Sequence, residues 1–351
     1  MKIPADLLTR PAEEAVRRLA IVQLERAMAA REKLVEGDRA EALHDFRVAL
    51  RRLRSLLRSH RSAFSVEFPK KALRRLGALA RDTNPGRDAE VQLAWLGSFA
   101  EELMPAERAG HRELARDLAL RRDESYRKVE HEIVRDFAGI AADLGARLAG
   151  YQVAVDLERP ARPPSFAAAT RAALARSGEE FFDKLARIES VADEAAGHAA
   201  RIAAKRLRYL AEPVAPWLAA ARLPVELLKA LQDLLGDLHD GQLLAGLVAN
   251  ALAEIESKRA QRLIAATLDG ADAVLSRGAP GAPLRRRERS GLIAVAKRLG
   301  ARRSELFSTL ERDWLGEDAP SRQGLVLALA ELDRSLAAPP RRRPAVVAGS
   351  R

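Results

Sequence analysis

The chain has 351 residues, 48% hydrophobic and 31% charged, and its 60 Lys and Arg against 49 Asp and Glu give a formal charge of +11. Such a composition can bury a core, excludes global disorder and points to a polyanionic partner: nucleic acid, anionic lipid or polyphosphate. The absence of cysteine excludes disulfides, thiol catalysis and thiolate metal sites, and is compatible with a reducing compartment.

The N-terminal stretch MKIPADLLTRPAEEAVRRL has no apolar core of signal-peptide type. No run of about 18 apolar residues occurs, so no membrane span is expected and the default location is the cytosol. Apolar residues recur at helical spacing almost everywhere and alternate as in strands almost nowhere, so the expected class is all-α. A first helix is expected over about Ala12–Val35, stopped by Gly37. Asp38 and Glu41 form a capping box for a second helix that runs to about Arg61. Pro69 opens a third, ending near Thr83 in TNPG, and a fourth covers Arg87 to about Leu103. A long pattern from Pro105 reaches Leu148. Residues 151–164, YQVAVDLERPARPP, read as a linker because their prolines forbid a continuous helix. Helical patterns resume over Ser165–Glu189, and Asp193 opens a helix that bends or ends at Pro213 and Pro216. Further helices are expected at Pro224–Leu238, Gly241–Ile255, Arg259–Ser276, Pro283–Trp314 and Arg322–Ala337. Residues 339–351 read as a disordered basic tail.

Two segments repeat about 150 residues apart. ALHDFRVALRRLRSLLRSH (Ala42–His60) and GHAARIAAKRLRYL (Gly197–Leu210) share His-x-x-Arg-x-x-x-base-base-Leu-Arg. Further on, Arg87-Asp88 aligns with His239-Asp240. Order and spacing are both kept, so the chain divides into helical halves at 1–150 and 165–338.

On a helix, Leu43, Phe46, Leu50, Leu53 and Leu57 form an apolar stripe, and His44, Arg47, Arg51, Arg54 and Arg58 a cationic one beside it. The second stripe is His198, Arg201, Lys205 and Arg208. Arg52 and Arg206 flank the two, and Glu212 stands where Arg58 would recur. Like charges at this spacing repel by a few tenths of a kcal/mol per pair. A regularly charged anion relieves that repulsion, and arginine matches phosphate oxygens. A single stripe reads as a solvated face; a histidine duplicated at its head has no place in that reading. His60, His111 and His131 lack counterparts and read as surface or core-edge residues.

At HDFRVALRRLRS, RDAEV, HAARIAAKRLRYL and, more weakly, LLGDLHD, the sequence resembles the CHAD family, the conserved histidine alpha-helical domain. The resemblance implies two four-helix bundles related by a pseudo-twofold, with a central basic cavity. It implies binding of inorganic polyphosphate and association with polyphosphate granules. Carried over by position, the binding set is His44, Arg47, Arg51, Arg52, Arg54, Arg58, His198, Arg201, Lys205, Arg206 and Arg208. Lys70, Lys71, Arg74 and Arg75, with Arg285, Arg289, Lys297 and Arg298, are secondary candidates, for which a solvated face is an equal reading. Asp88 and Asp240 are candidate orienting or capping residues. No cofactor or metal is expected, because arginine rather than a ligand stands one turn from each histidine. Binding without catalysis is expected. The alternatives are a polyphosphate-processing enzyme using His44 or His198, and a nucleic-acid binder. Against the first, there is no P-loop or acidic cluster for Mg²⁺. Against the second, three Trp and three Tyr offer few stacking platforms. The sequence does not specify the oligomeric state.

Overall fold

The structure, a computed structural model, describes residues 4, 6–36, 40–64, 70–150, 163–268 and 282–339. The expected cap at Asp38, most of the linker and the tail from 340 onward lie outside these residues. The described chain is all-α; its one β feature is an isolated bridge between Pro11 and Ser165. The helices are α1 (Ala12–Glu36), α2 (Ala40–Ser59), α3 (Lys70–Asp82), α4 (Asn84–Ser98), α5 (Arg108–Ala149), α6 (Phe166–Leu185), α7 (Glu194–Ala211), α8 (Arg222–Leu268), α9 (Ala282–Trp314) and α10 (Pro320–Ala337).

The three helices expected over 224–276 form one, α8, as far as Leu268; residues 269–276 of the third lie outside the described residues. Gly241 lies inside it rather than between helices. A glycine in a helix interior costs about 1 kcal/mol against alanine, too little to break a long apolar pattern. At the other junction Pro85 occupies the first turn of α4, where its missing N–H costs nothing, so α4 starts earlier than expected.

The contacts divide the chain into two compact units that draw on both sequence halves. The first holds residues 1–83, 127–235 and 309–351; the second holds 84–126 and 236–308. In the first unit α1 packs on α2, α6 on α7, α2 on α7, α1 on α6, α2 on α3 and α6 on α10. The apolar stripe of α2 is buried in full: Leu43, Phe46, Leu50, Leu53 and Leu57. Phe46 meets Phe137 of α5 edge to face, with centroids 4.8 Å apart. The starts of α1 and α6 exchange backbone hydrogen bonds, Ala12 N donating to Pro164 O at 2.9 Å and Phe166 N to Arg10 O at 2.8 Å. Arg17 of α1 donates to the Arg147 carbonyl at 2.6 Å, satisfying the C-terminal end of α5.

His60 is a core residue of this unit, 2% exposed, rather than a surface or edge one. Its Nδ1 lies 3.3 Å from the Leu56 carbonyl and its Nε2 3.2 Å from Thr170 Oγ1, beside the Phe166 ring. Burial pushes its pKa down from 6.5 to about 4, against the Leu56 hydrogen bond that raises it. The unfolded chain therefore binds a proton that the folded chain refuses. This contribution is complete above pH 6.5 and is lost as pH falls toward 4, about 3 kcal/mol in all. Urea midpoints at pH 7.5 and 4.5 should show this loss, and His60→Gln should flatten it.

The second unit encloses an apolar core of Leu96, Phe99, Leu103, Leu114, Leu118, Leu244, Val248, Leu292, Val295 and Leu299. His111, also buried, places Nε2 2.9 Å from the Leu96 carbonyl. Helices α5 and α9 cross at paired glycines. A Cβ on Gly110 would stand 2.0 Å from the Glu288 carbonyl oxygen, and one on Gly291 2.1 Å from that of Glu107. Only hydrogen fits at either place.

Candidate functional site

The two cationic stripes lie on helices of the same unit that pack against each other. Alanines make this approach possible: Ala200, Ala203 and Ala204 of α7 are buried and add little bulk. Lys205 of α7 is largely buried where the stripes converge. Its pKa is pushed down from 10.5 to about 7, first by burial and then by the positive charges of Arg51, Arg201, Arg208 and Arg47. Two of these neighbours come from α2 and two from α7, so both repeats face one lysine.

Their engagement differs. Arg47 donates to the Thr83 carbonyl just past the end of α3. Arg51 has a buried Nε with no hydrogen-bond partner, and its guanidinium lies 5.8 Å from the centroid of the Tyr209 ring. Arg208 lies 5.0 Å from the same centroid, so two cations flank one aromatic. Burial raises the Tyr209 pKa, while Arg51 and Arg208 oppose the rise. Arg51, Arg201 and Lys205 form no ion pair among the described residues. All three are half-buried, and cations withdrawn from water are normally paired, so this set is a candidate anion-binding site.

Farther along α2, Arg54 reaches α3. Its Nη2 would lie 3.2 Å from a Cβ built on Gly77, where Arg81 also approaches. Burial, then Arg81 and Arg58, hold the Arg54 guanidinium below its ordinary value. Arg54, Arg58 and Arg81 thus continue the cationic track from α2 onto α3. Sequence reading missed Arg81. It stands outside the repeated cassette, although α3, with Lys70, Lys71, Arg74, Arg75 and Arg81, is basic throughout.

Other expected residues play different parts. Glu212 forms ion pairs with both repeats, 3.4 Å from Arg52 and 3.5 Å from Arg208, so the acid at the end of the second stripe ties the helices together. Arg206 turns to α6, where it shares Glu180 with Lys184 at 3.0 Å. These cations hold the Glu180 carboxyl below its ordinary pKa, Lys184 acting first. His44 and His198 are exposed near the starts of α2 and α7. Lys71 and Arg75 line a groove of about 350 Å³ with Asp143 and Arg147 of α5; Arg74 is exposed, and the side chain of Lys70 lies outside the described residues.

On α9, in the second unit, Arg289 pairs with Glu256 at 2.8 Å and Arg298 with Glu102 at 3.2 Å. Lys297 is exposed, and the side chain of Arg285 is not described. Asp88 and Asp240 also belong to the second unit, and Asp240 lines a cavity of about 120 Å³ with Trp95, Asp237 and Arg302. Among the described residues no group of three His, Asp or Glu could hold a metal ion, and no helix is long and apolar enough to cross a membrane.

A family model described as "CHAD domain" matches residues 19–249, a span that includes both cassettes. The solved structures that share the fold include two that cover most of this chain. One is a CHAD domain from the plant Ricinus communis, with TM-score 0.60, 20% identity and 97% of each chain covered. The other is PptA from Streptomyces chartreusis, with TM-score 0.57, 15% identity, and 85% of this chain and 100% of that chain covered. At these identities the likeness concerns the fold. No curated protein matches the chain.

Proposed function

The chain belongs to the CHAD domain family, and from that premise we propose that it binds inorganic polyphosphate along the track formed by α2, α3 and α7, without catalysis. The observation that carries this reading is the cationic cluster around Lys205, in which Arg51, Arg201 and Lys205 form no ion pair among the described residues. Burial first, and then Arg51, Arg201, Arg208 and Arg47, depress the lysine's pKa. A flexible polyanion supplies the missing charge at regular intervals and releases its own counterions. A longer polymer spans Lys205 and the Arg54–Arg58–Arg81 group at once, so affinity rises with chain length. Association with polyphosphate granules follows from the same contacts.

The test is calorimetric titration with long-chain polyphosphate, orthophosphate and single-stranded DNA at equal charge concentration. Polyphosphate should bind most tightly, with affinity falling steeply as salt rises. DNA binding at equal strength would instead assign the track to nucleic acid. Release of orthophosphate from polyphosphate by the pure protein, abolished by His44→Ala or His198→Ala, would replace binding by catalysis.

Lys205 gives the binding a pH dependence. In the free protein it is half charged near pH 7. A bound phosphate favours the ammonium form, so binding above pH 7 takes up a proton. Affinity should be greatest below pH 7 and fall by up to about tenfold per unit above it, until the pKa of the complex is passed. Titrations in buffers of different ionisation enthalpy at pH 8 should show the uptake. Lys205→Arg, charged throughout, should remove it.

A further inference from the structure

The second unit holds a cavity of about 120 Å³ lined by α4, α8 and α9. Its walls are largely apolar: Trp95 of α4, Leu244 of α8, Leu299 and Leu306 of α9. Gln92 also lines it, one turn before Trp95, and is only 5% exposed. Among the described residues none hydrogen-bonds its side-chain amide. A buried amide normally finds partners for its carbonyl and its N–H donors, so this one is left to whatever enters the cavity. Gly241 of α8 is a second lining residue that the protein itself does not explain. A helix interior disfavours glycine. Yet the φ of Gly241 is not positive, and a Cβ there would meet nothing nearer than Arg303 Cγ at 3.6 Å, an ordinary contact. The missing methyl leaves room in the cavity. An amide without a partner and a glycine without a packing reason therefore converge on one space.

We propose that this cavity binds a small, neutral, single-ring molecule with an amide edge, a carbonyl beside an N–H, as in an aromatic carboxamide or a pyrimidine base. Size sets the single ring. A closed cavity of about 150 Å³ admits benzene, and this one is slightly smaller but opens at the exposed Asp237. Trp95 favours an aromatic guest over an alkyl one of equal area, because paired rings gain beyond their buried surface. Gln92 selects the head group: its carbonyl accepts from the guest's N–H while its own N–H donates to the guest's carbonyl. Charge sets neutrality. The lining carries two carboxylates, Asp237 and Asp240, and two guanidiniums, Arg302 and Arg303, with Arg302 already 3.5 Å from Asp237. Neither sign is in excess, so an anion gains nothing there to offset its lost hydration. The polyphosphate track lies in the first unit, so the two readings are independent.

The chain has three tryptophans, and Trp95 is the one in the second unit. The full chain, labelled with fluorotryptophan, is titrated with benzamide, uracil, toluene and orthophosphate and followed by fluorine NMR, with Trp95→Phe assigning the resonance. The Trp95 signal should move saturably with benzamide and uracil and stay still with orthophosphate. Toluene, which lacks the head group, should bind about tenfold more weakly than benzamide, the worth of one to two net hydrogen bonds. Gln92→Leu, close in size, should weaken benzamide and uracil by about the same factor and leave toluene unchanged. Gly241→Ala should weaken all three rings several-fold while Tm holds or rises, since alanine suits a helix better than glycine. That combination separates a narrowed cavity from a damaged fold. A Trp95 signal that no ring moves, meaning that water alone serves Gln92, overturns the proposal. So does equal affinity for toluene and benzamide, competition by orthophosphate, or ring binding indifferent to either variant.

Discussion

The triple variant Arg51→Glu/Arg201→Glu/Lys205→Glu should lose about a thousandfold in affinity for long-chain polyphosphate, measured by calorimetry at fixed salt. Each reversal removes a charge-assisted contact and adds a repulsion beside it, together about 4 kcal/mol. Its stability should move the opposite way. Burial and four positive neighbours depress the Lys205 pKa, so charging that amine works against folding. The penalty is full below about pH 7 and is relieved as pH rises from there toward 10.5. Lys205→Met should therefore raise stability at pH 6 by about 1–3 kcal/mol, discounted for the lysine's partial exposure, while it weakens binding. Weaker binding with a higher Tm separates a ligand-binding lysine from a structural one. A variant that binds poorly because it has unfolded would show a lower Tm.

Gly110→Ala and Gly291→Ala should each unfold the second unit, at a cost of about 4 kcal/mol or more. Overpacking a core usually costs 1–3 kcal/mol because side chains turn aside. Here the obstacle is backbone, a carbonyl oxygen about 2 Å from the new carbon, so the helices themselves must part. Parting α5 from α9 opens the core around Leu114, Leu292 and Val295. Guanidinium unfolding followed by Trp95 fluorescence checks this, since Trp95 packs against that core. Gly139→Ala is the control: a Cβ there meets nothing, and the change should be neutral or slightly stabilising.

Most of the helical class was legible, because leucine and alanine at three- and four-residue spacing form a strong local signal. The first and last helices lie close to their expected bounds. Gly241 misled the reading of α8, since a glycine marks a helix end only when no apolar face carries the helix through it. The grouping into compact units was not legible, because the pairing of α2 with α7 is a long-range contact that periodicity does not record. At the site, Arg47, Arg51, Arg201, Lys205 and Arg208 were legible through the duplication itself. Arg206 read as a flank of the stripe but turns to Glu180, whose identity as a partner depends on how α6 packs. Arg81 and the seat at Gly77 needed the third dimension: nothing in KKALRRLGALARD says that a glycine on one helix makes room for an arginine from another. His60 looked peripheral because its partner, Thr170, is 110 positions away.

The discontinuity of the first unit has a consequence on the ribosome. Its opening residues, through Thr83, cannot complete their packing until α6 and α7 have been made. At about 5–20 residues per second, α2 waits many seconds for α7. During that interval the leucine row of α2 has no finished core to enter, while its arginines keep the emerging segment soluble and apart from copies of itself. The same positive charge that burdens the mature protein then serves the nascent one, as a guard against premature aggregation.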